Sequence, residues 1–120
     1  MSKPQAQVLL ERYWDEVNNE GKLELIRELC ADPIYRHDPE KVTPLSHDEQ
    51  IARVKAGIER FDIKISREIT HSDDTYVTSV WNMTSSNEGM AKMCGIEVFK
   101  VENGRLAHCW NTPYGQGHWG

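Results

Sequence analysis

The sequence predicts a single α+β domain in which three helices precede most of an antiparallel sheet. Apolar residues recur at helical spacing in the first half of the chain, and they alternate with polar residues from Ile63 onward. Polar turns separate the alternating segments, and hairpin turns require antiparallel pairing. One curved sheet with the helices packed on one face is the natural arrangement for this order of elements.

Three segments have the periodicity of helices. Residues 5–19 carry an apolar stripe, and residues 23–30 repeat it in a shorter second helix. Asp32-Pro33 should stop that helix, because the residue before proline avoids the α region. Ser46-His47-Asp48-Glu49 has the spacing of a capping box, which predicts a third helix over about residues 47–59.

The remaining segments read as strands and turns. Residues 34–37 are predicted to be extended, and residues 40–45 are predicted to form a loop. A meander follows, with strands at 63–69, 76–85, 90–101 and 106–111 and turns at 72–74, 87–89 and 102–104. By alternation, the first of these strands has Ile63, Ile65, Arg67 and Ile69 on one face, and the second has Val77, Ser79, Trp81 and Met83 on one face. The last nine positions, 112–120, form a Gly-rich aromatic tail.

Composition and charge restrict the class of protein. The 120 residues fit one domain over 1–120, with 38% apolar residues and a formal net charge of −5. Nucleic acid is therefore not expected as a partner, because phosphate binding needs a basic face. No apolar run reaches the roughly 18 residues of a membrane span, and no signal segment opens the chain. We expect a cytoplasmic protein.

The cysteines and histidines predict neither a disulfide framework nor a metal site. Cys30, Cys94 and Cys109 are odd in number and widely spaced, which is typical of reduced thiols. The histidine–aspartate pairs in the chain match no standard metal-ligand spacing. We therefore expect no metal and no cofactor.

Three stretches of the chain resemble one superfamily. They are Glu11-Arg12-Tyr13-Trp14 with Asn18-Asn19-Glu20-Gly21-Lys22-Leu23; Cys30-Ala31-Asp32 through His37-Asp38-Pro39; and Gly95-Ile96-Glu97-Val98-Phe99-Lys100 with Gly104-Arg105-Leu106 and Trp110. With the order of elements, they resemble the nuclear transport factor 2-like superfamily, which includes ketosteroid isomerases and SnoaL-like polyketide cyclases. The resemblance implies a cystatin-like cone with a pocket for a hydrophobic small molecule, and a homodimer formed through the sheet.

The resemblance to ketosteroid isomerase implies roles for three residues. Tyr13 matches the tyrosine that donates a hydrogen bond to the substrate oxyanion, and Asp38 matches the aspartate that moves the proton. Glu97 matches the second, carboxylic acid donor, although it is one methylene longer than the aspartate of that family. His37 competes with Asp38, since an imidazole titrates near neutral pH and adjacent strand residues point to opposite faces.

The resemblance to the SnoaL-like cyclases fits less well. Their catalytic aspartate aligns with Asn111, which cannot accept and return a proton at neutral pH. Glu97 takes the place of a histidine in that pocket. An isomerase-like site is therefore favoured over an aspartate-driven cyclase.

Each of these residues also has a structural interpretation. By alternation Glu97 shares a face with Met93, Gly95, Phe99 and Val101, and if that face is buried the pKa of the carboxyl should be raised. If the face is exterior, Glu97 is expected to form a salt bridge with Lys92 or Arg105. Asp38 could simply form an Asp-Pro turn, and Tyr13 could be a core aromatic.

The last strand supplies a further candidate. Asn111 should share a face with Ala107 and Cys109 and orient a substrate carbonyl, whereas His108 should point outward toward a partner subunit. The predicted apolar or substrate-contacting walls of the pocket are Trp14, Trp81, Met83, Phe99 and Cys109.

Two classes of function follow. The first is a cofactor-independent isomerase, dehydratase or cyclase that moves a proton next to a carbonyl of a hydrophobic substrate. The second is a non-catalytic module that binds a ligand or only dimerises, since this fold hosts both enzymes and non-enzymes. A plain structural protein would have no enclosed cavity.

Overall fold

Helical segments occupy most of the first half of the chain and strands the second, in the predicted order. The computed structural model describes residues 2–86, 92–115 and 117–120. The elements are α1 (Gln5–Arg12), a π-helical segment (Tyr13–Asn19), a 3₁₀ turn (Leu23–Leu25), α2 (Ile26–Leu29), β1 (Cys30–Asp38), β2 (Lys41–Leu45), α3 (His47–Phe61), β3 (Ile63–Ser72), β4 (Tyr76–Ser85), β5 (Met93–Glu102) and β6 (Arg105–Tyr114).

The six strands form one sheet in the order β2-β1-β6-β5-β4-β3. Every neighbouring pair is antiparallel except β1 and β6, which run parallel. The antiparallel pairing predicted for the strands joined by hairpin turns is confirmed, whereas β1 and β6, which no turn joins, pair in parallel. The α+β class is confirmed: the sheet is curved and unclosed, with the helices on one face.

The helices bury the inner face of the sheet, which we define as the face that contributes to the core. Leu10, Trp14 and Val17 of the first helical run pack there, and Ile26 and Leu29 join them from the next one. Burying each such side chain stabilises the fold by about 1.5–3 kcal/mol relative to exposure. The inner-face residues of the strands in this core are Cys30, Ile34, Val77, Trp81, Phe99, Val101, Leu106 and Cys109.

Sequence-based assignments were wrong in the middle of the chain. The second helix ends at Leu29, so Cys30 opens β1, which continues through Pro33. Pro33 is tolerated because the β1–β6 register is irregular there and the pairing with β2 starts only at Ile34, so no ladder needs its missing N–H. The predicted loop at 40–45 is largely strand β2, which pairs with β1 in a hairpin.

Strand boundaries differ more modestly elsewhere. β3 continues to Ser72, and β6 extends through Tyr114 into the predicted tail. The turn at 102–104 is confirmed, with positive φ at both Asn103 and Gly104, the combination that a tight hairpin favours. The predicted turn at 87–89 and positions 90 and 91 of the third meander strand lie outside the described residues, as does position 116 of the tail.

β-bulges reverse two predicted faces. Register shifts occur between Arg67 and Ile69 on β3 and between Lys100 and Val101 opposite β6. Ile69 consequently pairs with Val80 and is 63% exposed rather than facing the core. An extra residue in one strand moves the following side chains to the opposite face.

The second bulge changes the face of Ala107. Leu106 pairs with Val101 and joins the core, whereas Ala107 lines an outer cleft with Tyr35 and His108. Ala107 therefore does not share the face of Cys109 and Asn111, as alternation alone predicted.

Local contacts set the positions of the helices around the inner face. The capping box at α3 is confirmed: the Ser46 hydroxyl accepts from the Glu49 N–H, and the Glu49 carboxylate accepts from the Ser46 N–H. Asn19 closes the π-helical segment by bonding to both the N–H and the carbonyl of Ile65 on β3. None of the helices in the described residues is long and apolar enough to cross a membrane.

Candidate functional site

A cavity of about 430 Å³ lies between α3, the π-helical segment and the inner face of the sheet. Its size and mixed lining are those of a site for a small organic molecule. The lining residues are Tyr13, Trp14, Asn18, Arg36, Leu45, Gln50, Arg53, Val54, Ala56, Gly57, Arg60, Phe61, Ile63, Ile65, Met83, Met93, Glu97, Phe99, Cys109 and Asn111.

Glu97 is the only carboxyl group that lines this cavity among the described residues. It lies in the middle of β5, flanked on the inner face by Gly95 and Phe99, which are both buried. Burial raises the pKa of Glu97 to about 8, although the positive charges of Arg36 and Arg53 act in the opposite direction. A carboxyl group with this pKa can both hold and release a proton near neutral pH.

Tyr13 places a phenol on the opposite wall. It is the first residue of the π-helical segment, a distortion that often marks functional sites, and it is 6% exposed. Gln50 of α3 donates a hydrogen bond from its Nε2 to the Tyr13 hydroxyl oxygen. The tyrosine therefore keeps its own proton for donation into the cavity, and burial raises its pKa well above the ordinary value, which keeps it protonated.

Two amides that line the cavity have an unpartnered acceptor. Within the described residues, no protein group bonds to the buried Oδ1 of Asn111 or the buried Oε1 of Gln50. Buried polar atoms usually have partners, because leaving one unsatisfied costs about 1–3 kcal/mol. These two oxygens can accept hydrogen bonds from the polar end of a ligand.

The structure separates Asp38 from His37. Asp38 lies on the same face of β1 as Ile34 and Arg36, and its carboxylate accepts from the Arg36 Nε at 3.2 and 3.3 Å. It is not among the residues that line the cavity. His37 lies on the outer face, where its ring stacks on Trp110 with centroids 4.5 Å apart.

His108 also lies on the outer face, as alternation predicts. Its Nδ1 is 2.9 Å from the Nε2 of His37, and its Nε2 is 3.1 Å from a Glu102 carboxylate oxygen. The Tyr35 ring also stacks on His108, with centroids 5.2 Å apart. None of these residues is among those that line the cavity.

The predicted apolar walls are found in the cavity with one exception. Trp14, Met83, Phe99 and Cys109 line it, whereas Trp81 is packed in the core and does not. Burial raises the pKa of the Cys109 thiol to about 12, and the Glu97 charge acts in the same direction. This thiol is therefore a packing group and not a thiolate nucleophile.

Sequence reasoning missed Gln50, Arg53 and Arg36. A signal was present for the first two, because Gln50, Arg53, Val54 and Gly57 recur at the spacing of one helix face. Arg36 lies two residues after Ile34 on β1 and therefore shares its face of the strand. The sequence thus also indicated a cationic side chain on the core-facing side of β1. Its contact with the cavity depends on the pairing of β1 with β6, which no local pattern predicts.

The described residues hold no group of three or more His, Cys, Asp or Glu side chains arranged to bind a metal ion. The polar groups that line the cavity are one carboxyl, one phenol, three amides and three guanidinium groups, which supply acid–base and hydrogen-bonding chemistry. The three cysteines are free and buried.

Solved structures similar to this chain share its fold. A SnoaL-like polyketide cyclase from Agrobacterium tumefaciens has 11% identity and a TM-score of 0.78, with 94% of this chain and 93% of that chain covered. A proposed polyketide cyclase from Acidithiobacillus ferrooxidans has 22% identity and a TM-score of 0.76, with coverage of 94% and 91%. A proposed ketosteroid isomerase from Kribbella flavida has 16% identity and a TM-score of 0.73, with coverage of 89% and 76%.

The sequence itself identifies the family. A search of curated proteins found no match for this chain. The model of one protein family, the SnoaL-like polyketide cyclases, matches residues 8–114, which is most of the sequence. The chain therefore belongs to the SnoaL-like polyketide cyclase family.

Proposed function

We propose that this protein is a cofactor-independent enzyme that transfers a proton next to a carbonyl group of a hydrophobic small molecule. The observation that carries the proposal is the position of Glu97, a carboxyl group with a pKa of about 8 in a cavity otherwise lined largely by apolar side chains. Active sites commonly shift a carboxyl pKa toward neutrality in this way, so that the group can act as both base and acid.

The proposed reaction begins with the ionised fraction of Glu97. Its carboxylate takes a proton from the carbon next to the substrate carbonyl, and the C–H electron pair moves into the new C=C bond. The carbonyl oxygen gains negative charge, which the Tyr13 hydroxyl stabilises by donating a hydrogen bond. Glu97 then returns the proton to another carbon, which completes an isomerisation. Alternatively, the enolate carbon attacks a second carbonyl of the same molecule and closes a ring, and the alkoxide formed there takes the proton from Glu97.

The residues around these two groups support the step. Gln50 holds the Tyr13 hydroxyl through its amide N–H and so leaves the phenol proton free for the substrate oxygen. The Asn111 side chain, with its unpartnered Oδ1, lies opposite Glu97 and can orient a hydroxyl group of the substrate. Apolar side chains, including Met83, Met93 and Phe99, exclude water from the reacting carbon.

The proposal differs from the roles that the ketosteroid isomerase resemblance implies. In that resemblance Asp38 is the base and Glu97 only a donor. Because Asp38 is paired with Arg36 and does not line the cavity, Glu97 is the better placed proton carrier. Asp38 remains the alternative base, so the variant Asp38→Asn must be compared directly with Glu97→Gln.

The experiment follows proton exchange and does not require the natural substrate. A panel of steroid and polyketide-like ketones in deuterated buffer would be monitored by NMR for loss of the proton next to the carbonyl. We expect Glu97→Gln to lower the exchange rate by about 10²–10⁴-fold, the usual contribution of a general base. Tyr13→Phe should also lower it, and Glu59→Gln, an exposed change on α3, should not.

The outcome separates the candidates. Exchange that survives Glu97→Gln and is lost in Asp38→Asn would assign the base to Asp38 and overturn the proposed role of Glu97. Exchange unaffected by either variant, or absent for every ketone, would favour a non-catalytic module.

We also propose that the outer face of the sheet forms a homodimer. Large apolar side chains are exposed there, namely Tyr35, Val42, Ile69, Tyr76, Ile96, Trp110 and Tyr114. Exposed apolar surface of this kind commonly marks an interface. Sedimentation of the wild type and of Ile96→Lys tests this: a dimer that becomes monomeric in the variant supports the proposal, and a monomeric wild type contradicts it.

A further inference from the structure

The charge of the cavity is opposite to that of the protein. The chain has a formal net charge of −5, yet three arginines, Arg36, Arg53 and Arg60, line the cavity. The single carboxyl group among the described lining residues, Glu97, is mostly protonated at neutral pH because burial raises its pKa to about 8. A cavity lined mainly by positive charges attracts negatively charged ligands.

Arg53 is an exposed cation that lines the cavity. It projects from α3 and stays accessible to solvent. Within the described residues its guanidinium makes no hydrogen bond and no ion pair. Partial burial lowers its pKa and the positive charge of Arg36 lowers it further, so the two guanidinium groups lie close enough to repel each other. An anion bound between them would turn this repulsion into attraction.

Arg36 is only partly engaged. Its Nε donates to the Asp38 carboxylate, whereas its two terminal nitrogens make no hydrogen bond within the described residues. A guanidinium has five donors in a planar fork that matches a carboxylate in two-point geometry. The contact with Asp38 therefore leaves donors of Arg36 available, and Arg53 forms no ion pair within the described residues.

The rest of the lining specifies the body of the ligand. Apart from the polar groups already named, the walls are aliphatic, aromatic and thioether side chains, including Val54, Ile65, Met83, Met93 and Phe99. A free inorganic anion would use none of this surface. We propose that the ligand of this cavity is a hydrophobic carboxylic acid, whose carboxylate binds between Arg36 and Arg53 while its apolar body fills the remainder.

This inference deepens the proposed function, on which it rests for placing the substrate in the same cavity. A substrate of this class carries its carbonyl toward Tyr13 and Glu97 and its carboxylate toward the arginines. Binding of the carboxylate then fixes the orientation of the reacting carbon, which is how remote charged contacts contribute to catalysis. A neutral ketone of the same size would bind more weakly and in several orientations.

The test uses 2-naphthoate and its neutral counterpart 2-naphthamide, which differ in charge and hardly in shape. Affinities would be measured by calorimetry on the wild type and on Arg53→Gln, Arg36→Gln and Arg36→Lys. We expect naphthoate to bind at least about tenfold more tightly than the amide, the usual size of a charge-assisted hydrogen bond. Each Gln variant should reduce that preference several-fold, and added salt should weaken it.

Two control variants keep the result interpretable. Arg27→Gln removes a surface arginine that is paired with Glu24 and Asp48 away from the cavity, and the preference should be unchanged. Arg36→Lys keeps a charge but loses the planar fork, so it should retain part of the preference. Should Arg36→Gln not fold, the comparison rests on Arg53→Gln and Arg36→Lys.

The contrary outcomes are distinct. Equal affinity for the two probes, a preference that survives both arginine changes, or no saturable binding of naphthoate at millimolar concentration would each overturn the carboxylate site. Glu97→Gln should still prefer naphthoate. A preference that holds while no ketone exchanges protons would refute the proposed catalysis alone, and exchange without the preference would refute this inference alone.

Discussion

Glu97 on β5 lies directly opposite Asn111 on β6, and both side chains line the same cavity. By resemblance to the SnoaL-like cyclases, position 111 is where an aspartate would be expected. Here the carboxyl group lies one strand away and the amide takes the place of the acid. Opposite residues of an antiparallel pair have their Cβ atoms about 4.5–5.5 Å apart, so the two positions belong to one hydrogen-bonding site.

The raised pKa of Glu97 should make the folded protein less stable as pH increases. The folded state holds this proton up to about pH 8, whereas the unfolded chain releases it near 4.5. Between these values the folded state binds more protons, so the free energy of unfolding falls as pH rises and the loss is complete above 8. Urea unfolding of the wild type and Glu97→Gln at pH 5 and pH 8.5 measures this difference.

The comparison with Glu97→Gln isolates this one group from other titrating residues. We expect the stability of the wild type, relative to the variant, to decline by at least about 1 kcal/mol over that range, since one pKa unit corresponds to 1.36 kcal/mol. A difference that is constant with pH would show that Glu97 titrates near its ordinary value, and the proton-carrier role would lose its main support.

Asn111→Asp should raise the pKa of Glu97 further. The substitution places a second carboxyl group directly opposite the first, and like charges that share a site cannot both ionise easily. NMR titration of the Glu97 carboxyl carbon should show its midpoint moving above the wild-type value of about 8. The control Asn103→Asp lies in the β5–β6 turn and should leave that midpoint unchanged.

An unchanged midpoint in Asn111→Asp would mean that the two side chains do not sense each other across the strands. The cavity would then consist of separate polar positions rather than one site. In that case the orienting role proposed for Asn111 would fail even if Glu97 carried the proton.

The parts of the site that the sequence predicts are those on regular strands. Alternation placed Val77, Ser79, Trp81 and Met83 on one face of β4, and the structure has the same arrangement. It also placed Glu97 with Phe99, because β5 is regular across that stretch. Prediction failed at Ile69 and Ala107, since a bulge adds one residue and leaves no clear mark in the composition.

The positive side of the cavity could not be predicted for a different reason. Arg36 belongs to β1 and Arg53 to α3, and both meet Glu97 of β5 only after β1 pairs with β6. Contacts of this sequence separation follow from topology rather than from local periodicity. β2 was missed because it is short, contains Pro44 and lies at the edge of the sheet, where strand patterns are weakest.

Gly95→Ala should destabilise the fold by about 1–3 kcal/mol, the usual cost of overpacking a core. A Cβ at this position would lie 2.5 Å from Cζ2 of Trp81 and 2.9 Å from the carbonyl oxygen of Thr112. Trp81 is 2% exposed and the Thr112 oxygen belongs to the backbone of β6, so neither can easily move. Urea unfolding measures the change.

Gly115→Ala is the matched control, because a Cβ there would meet nothing within 4 Å. It should alter stability by only a few tenths of a kcal/mol, as surface substitutions usually do. If Gly95→Ala were as well tolerated as the control, the indole of Trp81 would have to occupy another position, and the inner face between β4 and β5 would need revision.

Loss of the Asn82 amide should release the end of the chain from the sheet. Asn82 accepts from the Trp119 N–H at 2.8 Å and donates to the Trp119 carbonyl at 3.3 Å, while the Trp119 indole donates to the Gly95 carbonyl at 3.2 Å. Cys94 pairs with Asn82 across β4 and β5 and is 3% exposed. We expect Asn82→Ala to make Cys94 react faster with a water-soluble thiol reagent, because two of the hydrogen bonds that hold the end of the chain against the sheet are lost.

A truncation that removes Trp119 and Gly120 should raise the reactivity of Cys94 in the same way, since it removes the other partner of the same contacts. Cys30 and Cys109 belong to the inner core and should stay protected in both variants. Thr84→Ala, an exposed change on the same strand, should leave all three thiols unreactive. Fast labelling of Cys94 in the wild type, or equal rates in Asn82→Ala and Thr84→Ala, would show that the end of the chain does not shield this part of the sheet.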